Sequence, residues 1–202
     1  MELDHLFVFT EPGGGALRER LEAAGLVETY RRRHPGQGTA NICYVFDDAF
    51  LELLWVVDEA ECRAPRTART GLWERSRWRT DGTCPFGVAL RGTKGEAMPF
   101  PTWAYGPIYL PAGASLPVAT LSDDPRQPLV FQAPGGGPPA TWDPERRGAA
   151  QRPAYAGVSF ILRGPASPAL AQLPLRSSWR PTWSAIVELR RPDGRTNDLQ
   201  LP

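Results

Sequence analysis

The chain has 202 residues, with 23 Lys and Arg against 22 Asp and Glu, so its formal net charge is +1. This length is enough to bury the core of one domain or of a tightly fused pair. Nucleic-acid-binding domains usually carry a basic surplus on one face, whereas this chain offers only the short run 31–33 and scattered arginines, so we expect no nucleic-acid partner. No apolar stretch approaches about 18 residues, so we expect no membrane span.

The beginning of the chain and its cysteines indicate the compartment. The first residues show neither the basic segment nor the apolar segment of a signal peptide. Cys43, Cys62 and Cys84 are odd in number and lack CxxC spacing, which predicts neither a disulfide framework nor a zinc site. We therefore expect a cytoplasmic protein.

The first 57 residues predict the order β-α-β-β-β. A short apolar strand at 3–9 is followed by a helix at 16–24, where Leu17 and Leu21 are four residues apart and Gly25 ends the helix. Three more strands follow at 27–33, 41–46 and 49–56, with a turn or loop at 34–39.

The last fifty residues predict the same order with weaker patterns. A strand at 156–162 and a short helix at 165–173 precede strands at 179–183, 185–189 and 197–201. We therefore predict a first module at 1–57, a degenerate second βαβββ module at 154–202, and an inter-module segment at 58–153, all in one compact α+β unit. That segment is predicted to be partly helical at 58–84, with short strands at 86–90 and 128–132, an aromatic, proline-rich loop at 100–111 and a surface linker at 135–152.

Several motifs of the first half resemble the vicinal oxygen chelate superfamily, which has the glyoxalase-like fold. They are the strand opening Leu3-Asp4-His5, the helix after it, and the strand segment FLELL at 50–54. HPGQGTANICYVF at 34–46 and PFPTWAYGPIYLP at 99–111 resemble a poorly characterised glyoxalase-like branch with a long inter-module segment. The resemblance implies paired βαβββ modules that form an open, cup-like mixed sheet around a divalent metal.

The same resemblance suggests metal ligands. Family ligands lie in the middle of the first strand and on the fourth strand of a module, which correspond to His5 and Glu52. In the second module, Asp198 aligns with the glutamate position, whereas 154–160 has no histidine at the other ligand position. The resemblance thus implies His5, Glu52 and Asp198 as ligands.

The residues themselves support a site at His5 and Glu52 independently. Alternation places His5 on the strand face of Phe7, and turns Glu52 away from Leu51 and Leu53. A carboxylate in so apolar a strand needs a partner, which could be a metal, an imidazole, a ligand group or an arginine. An imidazole with a carboxylate suits Zn, Ni, Mn or Fe. His5 could equally be a buried histidine with its hydrogen bonds satisfied.

Further candidates surround this pair. His34 and Glu52 are candidate catalytic residues, with His34 as acid or base, although His34 could simply be a loop residue on the hairpin rim. Flat aromatic side chains with polar ends suit a pocket lid, and they also suit an interface or plain packing. The candidate ligand-binding residues are Gln37, Thr39, Asn41, Trp103, Tyr105 and Tyr109.

Three functions are compatible with these observations. The first is a metal-dependent isomerase, lyase or dioxygenase in which the ion chelates substrate oxygens as a Lewis acid. The second is a metal-free protein that binds or sequesters a small molecule in the cup, like resistance proteins of the superfamily. The third is an interaction module with a vestigial site. The cup could close within a monomer or across a homodimer.

Overall fold

The computed structural model describes residues 1–92, 96–135, 137–144 and 154–202. Its α-helices are short: Gly15–Ala23 (α1), Glu59–Arg63 (α2), Leu72–Ser76 (α3) and Trp78–Asp81 (α4). The strands of the first half are Glu2–Phe9 (β1), Tyr30–His34 (β2), Thr39–Val45 (β3) and Phe50–Val56 (β4). The next four are Phe86–Arg91 (β5), Thr102–Tyr105 (β6), Leu116–Ala119 (β7) and Leu129–Gln132 (β8). The last four are Gly157–Gly164 (β9), Arg176–Trp179 (β10), Ser184–Arg190 (β11) and Thr196–Leu201 (β12).

Eight strands form one mixed sheet in the order β2-β3-β4-β1-β5-β8-β7-β6. In the first half, β4 lies parallel to β1 and antiparallel to β3. The second half repeats this pattern, because β8 lies parallel to β5 and antiparallel to β7. The antiparallel pair β1–β5 joins the two halves. The predicted α+β class with a large, paired mixed sheet is confirmed.

The location of the second module requires a correction. The C-terminal strands form a separate sheet in the order β10-β9-β11-β12, in which the last strand lies beside β11 and not beside β9. A βαβββ module places its fourth strand beside its first, so 154–202 does not have that topology. The second half of the cup comes instead from β5 to β8, inside the predicted inter-module segment. These strands were difficult to recognise because three of them have only four residues.

The two faces of the large sheet build two cores. Alternate side chains such as Leu6, Val8 and Val88 point outwards and pack against α1 and the C-terminal sheet. The opposite face of the same strands presents Phe7, Phe9 and Leu129 to the interior of the cup. Each fully buried Leu, Val or Phe contributes about 1.5–3 kcal/mol relative to exposure. The period-two pattern therefore sets which side chains reach the site.

The C-terminal sheet covers the outer face and is attached to both halves. Tyr155 Oη donates a hydrogen bond to the carbonyl of Ala24, 2.7 Å away, at the end of α1. Trp183 Nε1 donates to the carbonyl of Arg126, 3.0 Å away, in the loop before β8. This sheet therefore supports the cup from behind.

A buried arginine fixes that loop. Arg75 on α3 is fully buried. Its guanidinium donates to the carbonyls of Ser122 at 2.9 Å, Pro125 at 3.1 Å and Thr70 at 3.4 Å, and also to that of Gln127. The predicted partly helical segment thus contains three short helices, one of which anchors the approach to β8.

Candidate functional site

The inner face of the large sheet encloses a cavity of about 200 Å³. Strands from both halves line it, together with the loop that follows β6. Much of the wall is apolar: Phe7, Phe50, Leu54, Leu72, Leu110, Leu116, Val118, Leu129 and Phe131. A concave, mostly apolar cavity with a few converging polar groups is the usual form of a small-molecule site.

A β-bulge brings two neighbouring residues of β1 to this cavity. The pairing of β1 with β5 shifts between Leu3 and His5, so Asp4 is an extra residue in the ladder. In a regular strand Asp4 would face away from His5, whereas the bulge lets both side chains line the cavity. Asp4 Oδ1 lies 2.7 Å from His5 Nδ1, and both residues are buried.

Glu52 on β4 completes the polar floor of the cup. His5 Nε2 lies 3.3 Å from Glu52 Oε2. Glu52 Oε1 accepts a hydrogen bond from Asn41 Nδ2 at 2.7 Å, and Asn41 Oδ1 accepts one from the backbone N–H of Arg32 at 2.9 Å. The ring of Phe50 stacks on His5 with centroids 4.2 Å apart. His5 is therefore held on three sides.

The surroundings of His5 favour its charged form. Burial alone would lower its pKa, but the hydrogen bonds and charges of Asp4 and Glu52 outweigh this and raise the pKa to about 9. Burial alone would raise the pKa of Glu52, but the interaction with His5 holds that pKa below its ordinary value. Each nitrogen of His5 therefore faces a carboxyl oxygen, one of Asp4 and one of Glu52, and this arrangement favours the imidazolium form.

A second network forms the mouth of the cup. Thr39 Oγ1 lies 2.9 Å from His34 Nδ1 and accepts a hydrogen bond from Gln37 Nε2 at 2.8 Å. The hydroxyls of Tyr105 and Tyr109 both donate to Gln37 Oε1, at 3.0 and 3.2 Å. Burial lowers the pKa of His34 and so favours the neutral form of its ring. Gln37 thus ties the first half of the cup to the second.

Most of the predicted site residues come together around this cavity. Those that line it are His5, His34, Gln37, Asn41, Glu52, Tyr105 and Tyr109. Thr39 is buried behind them. Sequence reasoning missed Asp4, Tyr30 and Arg32, which also line the cavity. The motif Leu3-Asp4-His5 contained Asp4, but strict alternation placed it on the wrong face.

Two predicted site residues lie elsewhere. Trp103 is absent from the cavity lining; it packs against Tyr105, and the guanidinium of Arg69 lies 4.5 Å from its ring. Asp198 is exposed on β12, which belongs to the C-terminal sheet. The assignment of Asp198 as a metal ligand is therefore corrected, since the topology on which it depended is different.

Within the described ranges, the donor set is incomplete for a metal ion. In the described parts of the chain, no three His, Cys, Asp or Glu side chains are grouped so that they could hold one. On β5, the residues paired with His5 and Phe7 are Ala89 and Gly87, which offer no side-chain ligand. On β8, Leu129 and Phe131 face the cavity. A catalytic zinc site usually needs three protein ligands, and the second half of the cup supplies none among these positions.

Comparison with known protein families gives a match to the N-terminal part of the chain. Residues 3–99, from β1 through β5, match the sequence profile of a glyoxalase-like domain. The chain contains a glyoxalase-like domain. The resemblance to the vicinal oxygen chelate superfamily is thus confirmed, and the matched region holds His5, Glu52 and most of the polar groups of the cup.

The other comparisons add little to this domain assignment. No curated protein matches the sequence. A solved structure titled as a hypothetical protein, BH1468 from Bacillus halodurans C-125, is 12% identical, with a TM-score of 0.38 over 65% of this chain and 91% of that one. Among the described residues, no helix has the length and apolar character needed to cross a membrane.

Proposed function

We propose that this glyoxalase-like domain binds a small organic molecule directly in its cup, without a metal ion. The observation that carries the proposal is the cavity of about 200 Å³, with its apolar wall and its floor of Asp4, His5 and Glu52. Each nitrogen of His5 already interacts with a carboxylate of the protein, so His5 needs no metal ion as a partner. The remaining lone pairs of the two carboxylates can accept hydrogen bonds from a ligand.

The size of the cavity limits the ligand. A water molecule occupies about 30 Å³ in the liquid, so the cavity of about 200 Å³ corresponds to about seven waters and suits a small organic molecule. One chain supplies all eight strands of the cup, which supports a binding site that is complete in a monomer. A cytoplasmic location belongs to the same proposal, since Cys43, Cys62 and Cys84 are all free and buried.

A thermal-shift screen with small organic compounds tests the proposal. Binding at a hundred times Kd stabilises a protein by about 2.7 kcal/mol, which corresponds to about 5–10 °C for a chain of this size. The matched control is Val118→Phe, which fills the cavity from a buried position of β7. Compounds should raise the Tm of the wild type and not that of the variant. Equal shifts, or no stabilising compound, would contradict a binding cup.

A divalent metal is the second candidate because His5 Nε2 and Glu52 Oε2 are only 3.3 Å apart and face the same cavity. Elemental analysis of tag-free protein, with Glu52→Gln as the comparison, decides between the two candidates. We expect no stoichiometric Zn, Ni, Mn or Fe in the wild type, even after incubation with each ion. Stoichiometric metal in the wild type that is lost in the variant would favour the metal-dependent candidate, with His34 as its acid or base.

A further inference from the structure

We infer that the ligand of this cup is a protonated amine carried on a compact apolar body. The inference rests on the proposed function and names the class of molecule that the same cavity would select. It depends on three features of the cavity: the hydrogen-bonding character of its floor, the sign of its buried charge, and its aromatic wall.

The floor accepts hydrogen bonds and has little to donate. Both nitrogens of His5 are directed at carboxylate oxygens, one of Asp4 and one of Glu52. The Nδ2 group of Asn41 is likewise used by Glu52. A ligand that reaches the floor therefore meets carboxylate lone pairs, which only an N–H or O–H group can satisfy. A carbonyl, carboxylate or phosphate oxygen would find repulsion there.

The buried charge of the floor is negative. Asp4 and Glu52 contribute two negative charges, and His5 contributes one positive charge at most. The net charge of these three side chains is therefore negative whether or not His5 carries its second proton. A buried charge without a counter-charge is costly, so a cation that enters the cup gains more than a neutral donor of the same shape.

The wall and the mouth favour the same class and set its orientation. The rings of Phe7 and Phe131 line the cavity, and aromatic faces attract cations. The hydroxyl protons of Tyr105 and Tyr109 are donated to Gln37, which leaves their oxygens as acceptors. The other charged group of the described lining is the exposed guanidinium of Arg32, which lies over Tyr30 at 4.9 Å. The floor thus carries negative charge, and Arg32 on β2 adds one positive charge to the lining.

A series of probes with one shape and different charges tests the inference. The probes are 2-phenylethylamine, 2-phenylethanol and phenylacetate, titrated into the full-length protein by calorimetry at neutral pH. The amine should bind at least about tenfold more tightly than the alcohol, since only the amine brings a positive charge to the buried carboxylates. Phenylacetate should bind more weakly than either.

Three variants connect the preference to the floor. Asp4→Asn and Glu52→Gln each remove one negative charge with little change in shape, and each should weaken amine binding by about tenfold while changing alcohol binding less. Glu59→Gln removes an exposed carboxylate of α2 and should leave both affinities unchanged. Circular dichroism establishes that each variant is folded, and Asp4→Asn suffices if Glu52→Gln does not fold.

The possible outcomes separate this inference from the proposed function. Tighter binding of phenylacetate or of the alcohol, lost in Val118→Phe, would overturn the amine assignment while the cup remained a small-molecule site. Amine binding that is insensitive to Asp4→Asn would also overturn it. If no probe binds at millimolar concentration, the amine assignment falls, and the thermal-shift screen decides separately whether the cup binds other compounds.

Discussion

Gly38→Ala should destabilise the protein strongly, because this glycine lies where two segments meet beside the mouth of the cup. Gly38 has a φ of +79°, and a Cβ atom there would lie 2.2 Å from the carbonyl oxygen of Asp58 and 2.8 Å from the backbone nitrogen of Cys62. The carbonyl of Gly38 accepts hydrogen bonds from the backbone N–H groups of Val57 and Asp58, at 2.8 and 3.1 Å. The two segments therefore cannot separate without breaking these bonds.

The expected loss of stability combines two costs and one smaller gain. The left-handed conformation costs a residue with a Cβ about 1–2 kcal/mol. Overpacking against a backbone that cannot retreat costs about 1–3 kcal/mol more. Alanine also restricts the unfolded chain, which returns about 0.4–1 kcal/mol. The free energy of unfolding of Gly38→Ala should therefore fall by about 1–4.5 kcal/mol.

Gly82→Ala is the matched control, because Gly82 has a φ of +66° and nothing lies within 4 Å of its would-be Cβ. Gly82→Ala has the cost of the left-handed conformation but no steric clash, so its free energy of unfolding should fall by about 1 kcal/mol. Urea unfolding of the wild type and both variants, followed by circular dichroism, measures the difference. Equal losses in the two variants would refute the steric argument. A larger loss at Gly38 should be accompanied by weaker ligand binding, since Gln37 and Thr39 flank it.

Three further predictions concern buried polar groups. Asp4 and Glu52 raise the pKa of His5 from 6.5 to about 9, and the stabilisation that this shift gives the folded state is fully present below pH 6.5 and lost as the pH rises through 9. Between pH 6 and pH 10, the free energy of unfolding measured in urea should decrease less for Asp4→Asn than for the wild type. An equal decrease would contradict the pairing of His5 with Asp4. Arg75→Met should cost at least about 3 kcal/mol in urea unfolding, because several carbonyls lose their donor, and a loss below 1 kcal/mol would contradict this role. Burial raises the pKa of Cys62 and Cys84 to about 12, and Cys43 is buried as well. A thiol reagent should therefore modify all three cysteines slowly in the native protein and rapidly in urea. Rapid labelling of the native protein would contradict their burial.

The first half of the fold could be predicted because its strands are long and regular. β1, β3 and β4 have seven or eight residues each, and their apolar runs are clear in the sequence. The C-terminal helix predicted at 165–173 is only a 3₁₀ turn at Leu170–Gln172. Pro165 and Pro168 supply no backbone N–H, which explains the difference. Local sequence patterns also do not determine which strands become neighbours, so the strand order within the C-terminal sheet could not be predicted from the sequence.

The site residues that follow the regular alternation of strand side chains were predicted from the sequence, whereas Asp4, which departs from that alternation, was missed. His5 and Glu52 lie on parallel neighbouring strands, with Phe7 in register with Glu52, so the period-two pattern turns both into the cup. Asp4 reaches the cup only through the bulge in β1, which depends on the pairing with β5. A one-residue shift of this kind leaves no local signal, because it arises between two strands about eighty residues apart in sequence.

The two halves of the cup divide its chemistry. In the described lining, the charged side chains Asp4, His5, Arg32 and Glu52 all come from the first half, whereas the strands of the second half contribute residues such as Val118 and Phe131. An apolar wall opposite the floor lowers the local dielectric constant, which strengthens the attraction between His5 and its carboxylates. It also gives a ligand an apolar surface to pack against opposite the charged floor. A molecule that fits both walls therefore has a charged end and an apolar end, and the sign of the floor selects a positive one.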